Sequence, residues 1–288
     1  MVKYFYILRP HHWVKNLLIF VPILASHNID ESSLIYSFLA FICFSLIASS
    51  GYIFNDIIDL NSDKYHPLKK KRLLAAGKIS KAECYKIIIL LTFVSITISS
   101  QINVNFAYII LIYLIISFIY SKYLKKIIIL DIFVLSIFYT LRVYAGSEAT
   151  NIFISVWLFA FSTFFFLSLA AIKRQIELAN YIKIKKTQIK GRGYTIYDLP
   201  IVSTIAVCSG YISIVIFVLY INSPKIIKLY SNPEFLWGIC FILLYWITRL
   251  IFLAGKGLVH YDPIVYATKD KSSYICLAII GLFLIAGV

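Results

Sequence analysis

A chain of 288 residues that is 61% hydrophobic and only 14% charged, with a positive mean hydropathy, lies outside the composition of soluble domains and reads as an integral membrane protein. Its formal net charge of +15 sits in short segments between apolar runs. No soluble region is large enough to track a phosphodiester backbone, so nucleic acid is excluded as a partner. Cys43, Cys84, Cys208, Cys240 and Cys276 are isolated and mostly inside apolar runs, which excludes a disulfide framework and a thiolate metal site.

A hydrocarbon core about 30 Å thick takes roughly 20 apolar residues to cross as a helix. In chain order the candidate spans are residues 14–26, 32–54, 84–99, 104–120, 127–144, 152–172, 199–221, 235–254 and 273–288, the first and third being short. The expectation is an all-α polytopic membrane protein with nine transmembrane helices. Arg9, Pro10, His11 and His12 interrupt the start of the chain, so a cleavable signal is not expected there.

Orientation follows from Lys and Arg, which stay on the cytoplasmic side of short connections. With the N-terminus inside, the inner segments hold Lys3, Arg9 and Lys15; the stretch 64–86; Lys122, Lys125 and Lys126; the stretch 173–192; and Arg249, Lys256, Lys269 and Lys271. Lys225 and Lys228 alone fall outside, and Arg142 lies within a span. Residues 1–288 thus read as one transmembrane domain in a bacterial inner or plasma membrane. Its cytoplasmic loops 55–83, 173–198 and 255–272 are expected to form a cap over the active site. His66-Pro67 and Ala75-Ala76-Gly77 punctuate the first loop and Gly191-Arg192-Gly193 the second.

The most informative residues stand where the second apolar run meets a basic stretch: Asn55-Asp56-x-x-Asp59-x-x-x-Asp63. On a helix, Asp56, Asp59 and Asp63 fall within about 60° of one another. Such a face repels itself unless a cation binds it, and oxygen ligands completed by a substrate's phosphate oxygens suit Mg²⁺. The alternative is a solvated acidic helix end.

These residues resemble the first signature of the UbiA superfamily of intramembrane prenyltransferases. The similarity extends to Leu8-Arg-Pro-His-His-Trp-Val-Lys-Asn16, His66-Pro67 with the basic run after it, Leu130-Asp131, Leu141-Arg142-x-x-Ala-Gly146 and Lys173-Arg174-x-x-Glu177-Leu178. The opening and the Lys-Arg-x-x-Glu segment look most like the branch that includes decaprenyl-phosphate phosphoribosyltransferase. The resemblance implies nine helices around a central cavity open to the cytoplasm and to lipid, and Mg²⁺-dependent chemistry on a diphosphate substrate with a polyprenyl lipid. Members that prenylate aromatic rings usually carry a second Asp-rich motif after the sixth span, where this chain offers Lys173, Arg174, Glu177 and a distant Asp198. Cations there would hold an anion directly, which favours a polyprenyl phosphate acceptor. Two further departures are Leu73 where the branch would place Pro after Arg72, and the ending Asp262-Pro-Ile-Val-Tyr-Ala-Thr-Lys-Asp270.

The roles implied are metal binding and catalysis by Asp56, Asp59 and Asp63, with Lys173 and Arg174 as catalytic cations. Asn55, Arg9, Lys15, Arg72, Asp131, Arg142 and Glu177 would bind substrate. Each has a plainer reading. Arg9, Lys15 and the run Lys69-Lys70-Lys71-Arg72 also serve as headgroup anchors, and Lys173 with Glu177 as an i,i+4 helical pair. Asp131 and Arg142, ionisable residues within a span, are about 16 Å apart along a helix and each belongs either to a cavity lining or to a structural network. His11, His12 and His66 lack metal-ligand spacing and read as interface residues. The first-choice reaction is phosphoribosyl transfer from phosphoribosyl diphosphate to a polyprenyl phosphate; the alternatives are prenyl transfer to an aromatic or quinone precursor and, in another class, cation-coupled transport.

Overall fold

In hydrocarbon every backbone N–H and C=O must be satisfied within the segment, which leaves long apolar runs the helix. The computed structural model describes residues 2–27, 29–65, 69–183, 185, 187, 191–259 and 262–288, and among these there is helix and no strand. The helices are α1 (Val2–Ile7), α2 (Val21–Ser26), α3 (Glu31–Ile58), α4 (Leu60–Asp63), α5 (Lys81–Ile102), α6 (Val104–Lys122), α7 (Leu130–Thr150), α8 (Val156–Lys183), α9 (Leu199–Ile221), α10 (Pro224–Leu229), α11 (Leu236–Gly255), α12 (Pro263–Ala267) and α13 (Lys271–Gly287). Short polar side chains start several of them. Asp30 accepts from the Ser33 N–H at 3.3 Å, Ser80 and Glu83 form a capping box at α5, and Asp270 accepts from the Ser273 N–H at 2.9 Å.

Among the described residues seven helices are long and apolar enough to cross a bilayer, so the protein is an integral, multi-pass membrane protein. Two of the nine expected spans differ from that standard. The last is the 17-residue α13. The first is a 3-10 helix, Pro10–Phe20, running into the six-residue α2: Pro22 lacks the N–H that a continuous α-helix needs there, and Pro10 opens the 3-10 helix after Arg9, which has φ 55 and ψ 57. The third expected run, read as short, is a full 22-residue helix because its polar ends continue it in both directions.

The chain divides into two compact units. One comprises Met1–Val134, Leu141–Ile154 and Lys190–Gly193; the other comprises Leu135–Thr140, Ser155–Ile189 and Tyr194–Val288. In the first, α3 packs against α5, α6 and the 3-10 helix. Small residues allow close approach, as in other membrane helix pairs: Ser95 Oγ donates to the Cys43 carbonyl at 3.0 Å, and a Cβ on Gly146 of α7 would collide with the Ile19 backbone. The first loop then folds onto this unit through Leu74 and Ile79, which join Ile53, Ile57 and Leu60 in one apolar cluster. Gly77, at φ 70, reverses the chain between them, a conformation glycine adopts without strain. That burial brings Arg72 to the end of α3.

In the second unit α8 packs along α9, and α11 against α8, α9 and α13. Ser168 Oγ donates to the Ala206 carbonyl at 2.7 Å. The expected loop 173–198 begins later than read, because α8 runs on to Lys183; Lys173, Arg174 and Glu177 therefore stand on a helix. Likewise α3 and α4 carry residues 55–63 as helix. His66-Pro67 lies outside the described residues.

Candidate functional site

An acidic cluster with three cations. In the first unit, Asn55 and Asp56 lie at the end of α3, Asp59 just past it and Asp63 on α4. Arg9 Nη2 donates to both oxygens of Asp56, at 2.5 and 2.6 Å. Arg72 Nη1 donates to Asp56 Oδ1 at 2.9 Å and to Asp63 Oδ2 at 2.5 Å. On the other side, Lys125 Nζ donates to Asp59 Oδ1 at 2.6 Å and to Asn55 Oδ1 at 2.9 Å, while Asn55 Nδ2 donates to Asp59 Oδ2 at 3.0 Å. Asp56 and Asp63 are buried, whereas the Asp59 side chain is 23% exposed.

The three aspartates therefore do not converge on one point as a uniform helix face suggests. Asp59 is the junction between α3 and α4, with φ −85 and ψ 0, and its carboxylate turns to Lys125 while Asp56 and Asp63 share Arg72. Among the described residues no three His, Cys, Asp or Glu side chains form a metal-holding group. The donor set still fits Mg²⁺: it is all oxygen, two carboxylates reach one guanidinium nitrogen, and this ion is usually held by one or two carboxylates plus substrate oxygens. Burial pushes the Asp63 carboxyl above its ordinary value, against the pull of Arg72 and Lys69.

The approach of Arg9 is built locally. Its left-handed backbone conformation, uncommon outside glycine, turns the chain into the 3-10 helix. That helix is tied to α3 by Trp13 Nε1 donating to Ser49 Oγ at 3.1 Å and by Ser49 Oγ donating to the Leu8 carbonyl at 2.8 Å. Lys15 is buried in the same helix. Arg142 of α7 donates from Nε to Asn16 Oδ1 at 2.7 Å and from Nη2 to the Tyr113 hydroxyl at 3.1 Å. Its guanidinium also faces the rings of Phe44 and Tyr113, so Arg142 is an inner strut of this unit. Asp131, fully buried, accepts from Arg192 Nη1 at 3.0 Å. Asp131 thereby ties the segment Gly191-Arg192-Gly193 to the start of α7.

Lys173 and its carboxylate. In the second unit Arg174 is fully buried, pairs with Glu177 one turn on, and lies over the Tyr194 ring at 5.5 Å. The expected Lys173–Glu177 pair is not made. Glu177 is engaged by Arg174, and Lys173 Nζ instead lies 3.3 Å from Asp262 Oδ2. Asp262 caps α12, accepting from the Ile264 N–H at 3.3 Å, and the Tyr139 hydroxyl donates to it at 3.3 Å. At the far end of this loop, Arg249 grips Asp270 with two bonds of 2.8 and 3.1 Å. Burial pushes the Asp270 carboxyl up, but hydrogen bonds from Arg249 and Ser273 outweigh it and hold it below its ordinary value.

The sequence points to no site role for Lys125, Arg192 or Tyr139, and marks Asp262 only as the start of an atypical ending. The two cations were absorbed into the positive-inside pattern, and no spacing links Tyr139 or Asp262 to Lys173. An unusual Asp-Pro at a helix start was the one available signal for Asp262.

Residues 17–256 match the UbiA prenyltransferase family. The chain belongs to that family. It is 34% identical over 282 residues to the nodulation protein NoeC of Azorhizobium caulinodans, covering 96% of this chain and 90% of that one. It is 34% identical over 178 residues to the decaprenyl-phosphate phosphoribosyltransferase of Mycolicibacterium smegmatis, covering 59% and 55% of the two. The chain thus spans about half the length of this relative, and of one other that it matches. Its fold is shared with a UbiA homolog from Archaeoglobus fulgidus bound to GPP and Mg²⁺, at a TM-score of 0.73, 18% identity and coverage of 98% and 99%.

Proposed function

We propose that this protein is a Mg²⁺-dependent transferase that moves phosphoribose from phosphoribosyl diphosphate to a polyprenyl phosphate at the cytoplasmic leaflet. The observation that carries the reading is the identity of the charges: carboxylates already matched by three cations in one unit, and a lysine in the other unit where ring-prenylating relatives place a second acidic motif. The match to a phosphoribosyltransferase supports the same choice.

Asp56 and Asp63, with Asp59 and Asn55 beside them, would hold Mg²⁺, which when bound supplies positive charge to a leaving diphosphate. The residues of the chain do the rest by position. Arg9, Arg72 and Lys125, which rest on carboxylates, would turn to diphosphate oxygens once those carboxylates take the metal. Lys173 would hold the acceptor phosphate, and the buried Arg174–Glu177 pair would keep its helix turn in place. In the transfer, the bond from C1 of ribose to the diphosphate oxygen breaks with its electron pair leaving on diphosphate. A bond forms from C1 to a lipid phosphate oxygen. No side chain need form a covalent intermediate, so alignment and charge supply the rate.

Purified protein with Mg²⁺ is incubated with labelled phosphoribosyl diphosphate and polyprenyl phosphate, and in parallel with prenyl diphosphate and hydroxybenzoate. Product is expected in the first mixture, and Asp59→Ala should lower it by about a hundredfold. Product in the second mixture alone replaces the reading with prenyl transfer; product in neither returns cation-coupled transport to the front.

A further inference from the structure

From the geometry around Lys173 we infer that Asp262 is a positioning residue for the acceptor's phosphate. It is a fixed carboxylate that holds the Lys173 ammonium in place by charge so that the ammonium's donors meet the ligand. The inference rests on the reading of Lys173 given above.

Asp262 is itself immobilised from three sides. Pro263 follows it and fixes the backbone entry to α12; its carboxylate caps that helix through the Ile264 N–H; and the Tyr139 hydroxyl donates to it. Tyr139 is fully packed, with its ring stacked on Phe166 of α8 at 5.5 Å. The Asp262 side chain is 7% exposed, while the Lys173 side chain is 25% exposed. One partner is a built-in fixture and the other retains an open side.

The distances point the same way. Cations in the acidic cluster sit 2.5 to 2.9 Å from their carboxylates, the range of tight charge-assisted bonds. Lys173 lies farther from its carboxylate, at 3.3 Å. An ammonium has three donors on a flexible four-carbon stem. A carboxylate on one side narrows the stem's rotamers and keeps the charge, while the exposed side of the ammonium is open to a phosphate. The loop carrying Asp262 is held to the same helix by Lys183 Nζ, which donates to the Gly257 carbonyl at 2.6 Å, and by Gln175 Nε2, which donates to the Ile251 carbonyl in α11 at 3.3 Å. Asp262 thereby enters acceptor binding without touching the reacting atoms.

Asp262→Asn isolates the charge, since asparagine caps a helix as well as aspartate does and its carbonyl still accepts from Tyr139. The full-length protein in nanodiscs is titrated with a polyprenyl phosphate by native mass spectrometry, and acceptor KM and kcat are measured for Asp262→Asn, Lys173→Gln and the double variant. Expected are acceptor binding weakened about tenfold by Asp262→Asn, kcat at saturating acceptor changed less than KM, partial recovery with Asp262→Glu, and a double variant no weaker than Lys173→Gln alone. If Lys173→Gln weakens binding while Asp262→Asn leaves it unchanged or tightens it, or if the two losses add, the Asp262 inference falls and the Lys173 reading stands. If Lys173→Gln binds acceptor as the parent does, the Lys173 reading itself falls. Should Asp262→Asn fail to accumulate as folded protein, Tyr139→Phe keeps the ring stack and removes the hydroxyl; a rise of about threefold in acceptor KM is then expected, and no rise overturns the inference.

Discussion

Lys125 shows how a single side chain organises the acidic cluster. It is almost fully buried and neutralises Asp59 while satisfying the Asn55 carbonyl. Removing one member of such a pair costs more than the pair contributes, because the remaining charge is left without compensation. Lys125→Met is therefore expected to destabilise the protein by about 2 kcal/mol, less than for a wholly buried pair since Asp59 keeps some contact with water. Adding Asp59→Asn should restore most of that stability without restoring turnover, and thermal unfolding in detergent alongside the transfer assay separates the two effects. Loss of stability that the second substitution leaves untouched would mean that Lys125 acts elsewhere. At this scale the sequence was unequally legible. Four polar residues at the end of an apolar run are conspicuous, so Asn55, Asp56, Asp59 and Asp63 stood out. Lys125 and Arg192 did not, because a lysine or arginine at an inner helix end already has a cheap explanation as a topology signal.

At the scale of elements, hydropathy located the long helices well and their ends poorly. α8 carries Lys173, Arg174 and Glu177 beyond its apolar stretch because Ala, Gln, Glu and Lys continue a helix at little cost, so apolar length underestimates it. The opposite error befell the first expected span, where apolar length hid the geometry imposed by Pro10 and Pro22. Close approach of two elements is also invisible to hydropathy. Gly146 lets α7 lie against the backbone at Ile19, and the atoms a Cβ would strike are main-chain atoms that cannot swing away. Gly146→Ala should therefore cost about 1–3 kcal/mol by overpacking, lowering the unfolding temperature measured in detergent. Gly281→Ala in α13, where a Cβ meets nothing within 4 Å, should leave that temperature unchanged or raise it slightly, since alanine is the better helix former. Equal loss at both positions would show that helix propensity, rather than the contact with Ile19, sets the outcome.

Across the whole molecule, the net charge of +15 gains meaning from where it lies. Lys69, Lys70, Lys71 and Arg72 precede α5, Lys122, Lys125 and Lys126 lie between α6 and α7, and Lys173 to Lys183 close α8. By contrast, the connection after α9 holds Lys225 and Lys228 alone. Retention of basic connections in the cytoplasm predicts the first group inward and the α9–α10 connection outward. The same distribution would concentrate phosphorylated ligands on that face. Single cysteines placed at Lys70 and Asn222, in a background lacking the five native ones, test the assignment in intact spheroplasts. A membrane-impermeant maleimide should label Asn222→Cys before lysis and Lys70→Cys only after it. The reverse order would turn the acidic cluster away from the cytoplasm. The charge alternation would then have to be explained by something other than topology.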